Sequence, residues 1–400
     1  MSSAPIIAPS PPPRLTSLDA FRGFTMLLMA SEIAGLPRAL LHDYPGNGLA
    51  FFVADMLEHR EWVGVTPWDL IQPSFMFMVG VALPFSVASR RERGHAFGRL
   101  FAHAVLRSLI LVLLGIFLRS QGRPQTYFTF EDVLTQIGLG YPFLFLLAWA
   151  RPRWQAVAAA AILIGYWAAF ALYPLPPPGF DWTSVGVPVD WPHHLSGFAA
   201  HWDKNTNLAQ AADVWFLNVF PRESPFRFNG GGYLTLNFVP SLATMIFGLL
   251  AGGLVKAAPR VSATAWRLAA WGVAGIVLGV LLHVAGVCPL VKRIWTPSWA
   301  IFSAGWAALF LAAWYALIDL RGWTRWAFPF LVVGMNSIAM YVIVHVADRY
   351  TMDALKIHLG TAPFSILGPL FVPVLLGATA LAIFWLVLLW MYNRRIFVRL

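Results

Sequence analysis

Long apolar runs alternate with short polar segments along most of the 400-residue chain. Several of these runs reach the ~20 residues that an α-helix needs to cross the hydrocarbon core of a bilayer. The pattern predicts about ten membrane helices, which cover approximately residues 20–40, 68–88, 101–119, 131–150, 154–173, 233–255, 267–287, 298–318, 327–347 and 365–391. The predicted fold class is therefore an all-α polytopic membrane protein, built as a helical bundle.

Composition supports a membrane environment rather than water. The chain is 58% hydrophobic and only 12% charged, whereas a soluble domain carries roughly 25% charged residues. Its 19 tryptophans and 31 phenylalanines are typical of interfacial aromatic belts around a packed bundle. A lone cysteine, Cys288, excludes an intramolecular disulfide and with it a secreted disulfide framework.

The net charge of +10 is explained by topology rather than by nucleic acid. Basic residues concentrate in the short loops 90–99 and 151–154, and short loops of this kind stay in the cytoplasm. With both termini cytoplasmic, most of the 28 basic residues lie inside. We therefore predict an N-in, C-in bundle, with His59 on the external side.

The chain is predicted to form one transmembrane domain over residues 1–400. Residues 1–14 are Pro-rich and too polar for a signal peptide, so a flexible cytoplasmic tail is expected there. Residues 174–231 form a long external loop segment, longer than an ordinary connection. It is also too aromatic for simple disorder and is expected to fold over the external mouth of the bundle.

The main candidate catalytic residues lie in the segment 59–80, HREWVGVTPWDLIQPSFMFMVG. Asp69 stands at the mouth of an apolar helix, where a carboxylate is costly unless it is paired or faces a wet cavity. Gln72 follows one turn later on the same face. A histidine held by a carboxylate is a common general base, which makes His59 a candidate. The alternatives are a solvated loop histidine and an aspartate that only caps its helix.

Other polar residues in apolar surroundings have two interpretations each. Glu32, within the first predicted helix, either forms a structural pair or belongs to a site. Asp19 and Arg22 are spaced as an i, i+3 ion pair, which serves as a topology anchor or, with Arg107, as an anion site. Asn336 either joins helices or binds a ligand.

Metal binding is not predicted. The histidines of HHLSGFAAH, at positions 193, 194 and 201, have neither a known metal-site spacing nor carboxylates patterned around them. The sequence also lacks a phosphate-cradling glycine loop and a GxSxG nucleophile motif.

Five motifs occur in a characteristic order: RLTSLDAFRGFTMLLM, H-x-x-W-x-G-x-T-x-x-D-L-x-x-P-x-F-x-F-x-x-G, PSLATMIFGLLAG, GMNSIAMYV and RRIF. Together they resemble the heparan-α-glucosaminide N-acetyltransferase family of membrane acyltransferases and its bacterial relatives. The resemblance implies that acetyl-CoA is the co-substrate, supplied from the cytoplasm, and that an amino sugar on the opposite side is the acceptor. It places the family's active-site histidine on His59, its helix-mouth aspartate on Asp69, its asparagine on Asn336 and its helix-three arginine on Arg107.

The chain departs from the family pattern at several positions. Glu32 stands in the region where an asparagine is common, Gln136 stands where an arginine is common, and His345 is one position out of step. These differences concern the acceptor more than the reaction type.

The resulting hypothesis is a transmembrane acetyltransferase that moves an acetyl group from cytoplasmic acetyl-CoA to an amine or hydroxyl of a periplasmic sugar or glycan. His59, Asp69 and Asn336 are the expected catalytic residues. The expected acetyl-CoA-binding residues are Arg14, Arg22, Gln72 and Arg107. The alternative is a proton-coupled transporter that uses Glu32, Asp69 and His59. The sequence leaves open the acceptor, direct transfer against an acetyl-histidine intermediate, and the oligomeric state, for which a homodimer is one option.

Overall fold

The computed structural model describes residues 15–43 and 46–398, which form fourteen α-helices and no β-strand. The helices are α1 (Thr16–Ala30), α2 (Leu36–Asp43), α3 (Gly48–Met56), α4 (Ile71–Glu92), α5 (Phe97–Arg119), α6 (Val133–Leu147), α7 (Pro152–Ala171), α8 (Leu208–Leu217), α9 (Phe238–Ala257), α10 (Ser262–Val284), α11 (Pro297–Trp314), α12 (Phe328–Met335), α13 (Ser337–Leu359) and α14 (Val372–Asn393).

Within these ranges, seven helical segments are long and apolar enough to cross a membrane, or eight if the bent pair α12 and α13 forms one span. The helices α1 and α6 have 15 residues each, fewer than the ~20 that a bilayer core requires. The predicted class, an all-α polytopic membrane protein, is confirmed. The count of ten spans and the N-in, C-in topology stay predictions.

The centre of the bundle is formed by α4 and α9, which are the most buried of the long apolar helices, whereas α10 is the least buried. Helix α4 packs along α9, and α1 packs along α12. Glycines make these contacts close: Gly80 of α4 lies against α9, and Gly334 of α12 lies against the backbone of Asp19 and Gly23. The long axis of α4 therefore runs through the middle of the protein.

The prediction of one continuous helix over residues 20–40 is wrong. Helix α1 ends at Ala30, a 3₁₀ turn covers Ser31–Ala34, and Gly35 takes a positive φ of 60° before α2 begins. Glycine adopts this backbone conformation without steric cost, so it ends the helix. Glu32 consequently lies in an exposed turn rather than deep inside a helix.

The predicted helix over 327–347 is also interrupted. Helices α12 and α13 meet at Asn336 with a bend of 69°. The buried Asn336 side chain donates to the carbonyl of Ile396 at 3.0 Å and accepts from the amide of Val398 at 3.0 Å. The polar residue at the break is thus satisfied by the segment that follows α14.

The segment 174–231 is ordered and contains α8 and two 3₁₀ turns, Trp182–Val185 and Gly197–Trp202. Its buried Trp191 and Trp202 form a second apolar core with Trp62, whose indole donates to the carbonyl of Trp202 at 3.1 Å. The segment therefore packs directly on the loop that carries His59. Its external location stays a prediction.

Candidate active site

Asp69 is fixed by the chain that immediately precedes it. Pro67 opens a 3₁₀ turn, Pro67–Leu70, in which Asp69 and Thr66 form a capping box. The carboxylate oxygen Oδ2 accepts from the amides of Thr66 at 3.1 Å and Arg60 at 3.3 Å. The Thr66 hydroxyl donates to the carbonyl of Glu58 at 2.7 Å, so the loop from Glu58 to Asp69 is closed by its own hydrogen bonds.

The other carboxylate oxygen of Asp69 meets a histidine and a lysine. His59 Nδ1 lies 2.9 Å from Asp69 Oδ1. Lys292 Nζ lies 3.3 Å from the same oxygen and 2.8 Å from His59 Nδ1. Asp69 and Lys292 are buried, whereas the His59 side chain is 38% exposed. The imidazole is therefore the member of this cluster that a substrate can reach.

The environment keeps the imidazole neutral near pH 7. Burial lowers the pKa of His59, the hydrogen bond to Asp69 opposes that change, and the charge of Lys292 lowers the pKa further. Burial also lowers the pKa of Lys292 to about 8, with Asp69 acting in the opposite direction. A neutral imidazole oriented by a carboxylate has the state that a general base needs.

Lys292 reaches the cluster from the segment between α10 and α11, 233 residues from His59. The amide of Gly64 donates to the carbonyl of Leu290 at 3.0 Å, which ties this segment to the His59 loop. The Arg293 guanidinium donates to the carbonyls of Arg60 at 3.1 Å and Gly231 at 2.6 Å. Lys292 is not among the site residues predicted from the sequence. A Lys-Arg pair on the predicted external side could have indicated it, because basic residues are scarce on that side.

A cavity of about 340 Å³ lies between α1, α4, α5, α6, α12 and α13. Three arginines line it: Arg22, Arg90 and Arg107. Arg107 donates to the Tyr141 hydroxyl at 3.2 Å, and its buried Nε has no hydrogen-bond partner among the described residues. The cavity therefore offers positive charge and an unsatisfied donor.

One face of α4 lines this cavity along much of the helix. The lining positions recur three or four residues apart, namely Phe75, Met78, Val79, Ala82, Leu83, Ser86 and Arg90. Phe75 and Arg90 are about 22 Å apart along the helix, at 1.5 Å per residue. The cavity thus runs along α4 from an apolar wall at Phe75, six residues after Asp69, to the arginines at the far end of the helix.

Four of the predicted site residues lie either in the cluster around Asp69 or on the cavity wall. The structure brings His59 and Asp69 together, and it places Arg22 and Arg107 on the cavity wall. Gln72 is half-buried at the start of α4, outside the described cavity lining. Arg14 lies outside the described residues.

Asn336 is placed away from the His59 loop. Its neighbour Gly334 packs against the backbone of Asp19, near Arg22, and both Met335 and Ser337 line the cavity. With its amide bonded to residues 396 and 398, Asn336 belongs to the arginine end of the cavity. A catalytic role for it stays a prediction.

The fold and site define a class: a multi-pass helical membrane protein with an Asp-His-Lys cluster at the start of α4, in which the histidine is exposed, and an arginine-lined cavity along α4. No protein-family model matches the chain. The chain is 25% identical over 379 residues to heparan-alpha-glucosaminide N-acetyltransferase of Homo sapiens, an alignment that covers 85% of this chain and 54% of the relative. The corresponding Mus musculus protein is 25% identical over 381 residues, covering 84% and 54%.

These alignments confirm the resemblance that the motifs indicated: the chain is similar in sequence to heparan-alpha-glucosaminide N-acetyltransferases. The chain spans about half the length of the curated relatives it matches.

Proposed function

We propose that the protein is a transmembrane acetyltransferase of a bacterial inner membrane. It transfers an acetyl group from acetyl-CoA, bound from the arginine end of the cavity, to an amine or hydroxyl of a sugar bound at His59. The observation that carries this proposal is the single face of α4 that lines the cavity from Arg90 to Phe75, six residues after Asp69. The names of the relatives, which are N-acetyltransferases, support the reaction type.

The cavity suits a donor with phosphates at one end and a slender arm at the other. Arg22, Arg90 and Arg107 supply charge for phosphate groups, and the free Nε of Arg107 is a donor that a phosphate oxygen would satisfy. The apolar wall formed by Phe75 and Met78 suits the arm that ends in the thioester.

In the proposed reaction, Asp69 holds His59 through Nδ1, and Nε2 removes a proton from the amine or hydroxyl of the acceptor. The nucleophile attacks the thioester carbonyl, the carbon–sulfur bond breaks, and the CoA thiolate leaves with the proton that His59 returns. A covalent acetyl-histidine route uses the same nitrogen as the nucleophile. Gln72, at the start of α4, is the proposed donor to the developing oxyanion.

A sidedness experiment tests this function. The purified protein is reconstituted in liposomes with acetyl-labelled acetyl-CoA on one side and glucosamine, as the probe acceptor, on the other. We expect labelled N-acetylglucosamine to form only when donor and acceptor face opposite ends of the bundle. Proton-driven uptake of a labelled sugar without acetyl transfer would instead support the transporter that uses Glu32, Asp69 and His59.

Replacing Arg107 by alanine is expected to raise the KM for acetyl-CoA by about 10- to 100-fold, because a charge-assisted contact to phosphate contributes roughly 1.5–3 kcal/mol. The kcat should change little, since Arg107 lines a cavity whose lining does not include His59. Steady-state kinetics with varied acetyl-CoA measures both constants.

Arg153→Ala is the matched control, because Arg153 is an exposed arginine on α7 outside the cavity lining. Equal KM values for Arg107→Ala and the unmodified protein would show that Arg107 does not contribute to acetyl-CoA binding.

A further inference from the structure

Two neighbours compete for one nitrogen of His59. Nδ1 lies 2.9 Å from the Asp69 carboxylate, an acceptor, and 2.8 Å from Lys292 Nζ, a donor when it is protonated. A ring nitrogen cannot donate to one group and accept from the other at the same time. In the tautomer that leaves Nε2 unprotonated as a base, Nδ1 donates to Asp69. Lys292 then has two acceptors within reach, Asp69 Oδ1 at 3.3 Å and His59 Nε2 at 3.4 Å.

Charge gives Lys292 a second effect on the imidazole. Asp69 alone favours an imidazolium, because a buried carboxylate stabilises a neighbouring cation. Lys292 already supplies that cation, so protonating His59 would place two positive charges within 2.8 Å of each other. The lysine therefore offsets the carboxylate that would otherwise hold a proton on the base.

We propose that Lys292 is a positioning residue that keeps His59 unprotonated by neutralising Asp69, and so keeps the base ready for the acceptor. The inference rests on the acetyltransferase proposed above and adds a residue to its site. Lys292 acts through Asp69 and His59, and it does not line the cavity of the acetyl donor within the described chain.

Two other charged groups, Glu32 and Arg293, act on the cluster in opposite directions. Glu32, in the turn after α1, raises the pKa of His59, whereas Arg293 lowers that of Lys292. Tyr233 faces Lys292 with its ring, 6.0 Å from Nζ. The Arg60 guanidinium donates two hydrogen bonds to the Asp55 carboxylate, at 2.8 and 2.9 Å. Among the described residues, Lys292 is the only cation in direct contact with the imidazole.

The test measures the titration of His59 directly. Histidine labelled with ¹³C is incorporated into the protein in detergent, and the His59 resonance is assigned by its absence in His59→Gln. In Lys292→Met, the titration midpoint of His59 should move to higher pH, because Asp69 is no longer offset. Lys292→Arg should leave it near the original value, since the charge is retained.

Lys256→Met is the matched control, because Lys256 is exposed on α9 and, within the described residues, donates one hydrogen bond, to the carbonyl of Pro84. It should leave the midpoint unchanged. If Lys292→Met does not yield folded protein, Asp69→Asn provides the reciprocal measurement. There the midpoint should fall, because Lys292 is left unopposed.

Kinetics provides a second readout. A base that must be neutral loses activity as the pH falls through its pKa, so the acid limb of the kcat profile should move to higher pH in Lys292→Met. At pH 6 we expect about a tenfold loss of kcat relative to the unmodified protein, a smaller loss at pH 8, and an unchanged KM for acetyl-CoA.

An unchanged His59 midpoint in folded Lys292→Met would overturn this inference even if acetyl transfer is demonstrated. Conversely, the titration requires no substrate, so a shifted midpoint would uphold the effect of Lys292 on His59 if the transfer reaction itself were not found.

Discussion

Replacing His59 by glutamine is expected to lower the kcat for acetyl transfer by about 10²–10⁴-fold, the range that a general base contributes. Glutamine keeps a polar side chain of similar length that can donate to Asp69, so the loop closed by Thr66 and Glu58 should survive. It has no group that takes up a proton near pH 7. The measurement is the initial rate with labelled acetyl-CoA and glucosamine.

His358→Gln is the control for this substitution, because His358 is exposed in the last turn of α13. Asp69→Asn should reduce kcat as well, since the amide cannot hold His59 Nδ1–H with a charge. Undiminished acetyl transfer by folded His59→Gln would show that His59 is not the general base and that the catalytic residues lie elsewhere in the bundle.

The candidate site was partly predictable because His59 and Asp69 lie ten residues apart within one motif. A local loop that ends in a capped helix brings two such residues together without help from the rest of the fold. Lys292 was not predictable in the same way. Its place depends on how the segment between α10 and α11 packs against the His59 loop, through the contact of Leu290 with Gly64.

The apolar runs predicted most helices of the bundle, because the length and hydrophobicity that a membrane helix needs are properties of one continuous stretch of sequence. They did not reveal where a helix breaks. Gly35 ends the first helix by its backbone conformation, and an apolar run that contains one glycine does not signal this. The bend at Asn336 depends on hydrogen bonds to residues 396 and 398, some 60 residues away.

Replacing Gly248 by alanine is expected to destabilise the bundle by about 3 kcal/mol or more, at the upper end of overpacking effects. A Cβ atom at this position would lie 1.9 Å from the carbonyl oxygen of Phe77 on α4. Gly252, one turn later, makes a similar approach to Val81, so the two glycines form the small-xxx-small pattern that lets membrane helices pack closely. Thermal unfolding of the purified protein in detergent measures the effect.

Substitutions at two other glycines serve as comparisons for Gly248→Ala. Gly253→Ala, on the same helix, adds a Cβ with no atom within 4 Å and should leave the melting temperature unchanged. Gly140→Ala meets the terminal methyl of Met245 at 2.4 Å, and a flexible side chain can move aside, so a small decrease is expected.

The obstacle at Gly248 is backbone, so trimming a side chain cannot remove it, and Gly248→Ala combined with Phe77→Ala should be no more stable than Gly248→Ala. Restored stability in that double variant would show that the side chain of Phe77, and not its carbonyl, sets the distance between α4 and α9. Because Asp69 lies directly before α4 and Arg90 lies near its end, any folded protein that remains in Gly248→Ala should also lose acetyl transfer. Gly253→Ala should retain it, which separates the packing of α4 on α9 from a general effect of alanine in α9.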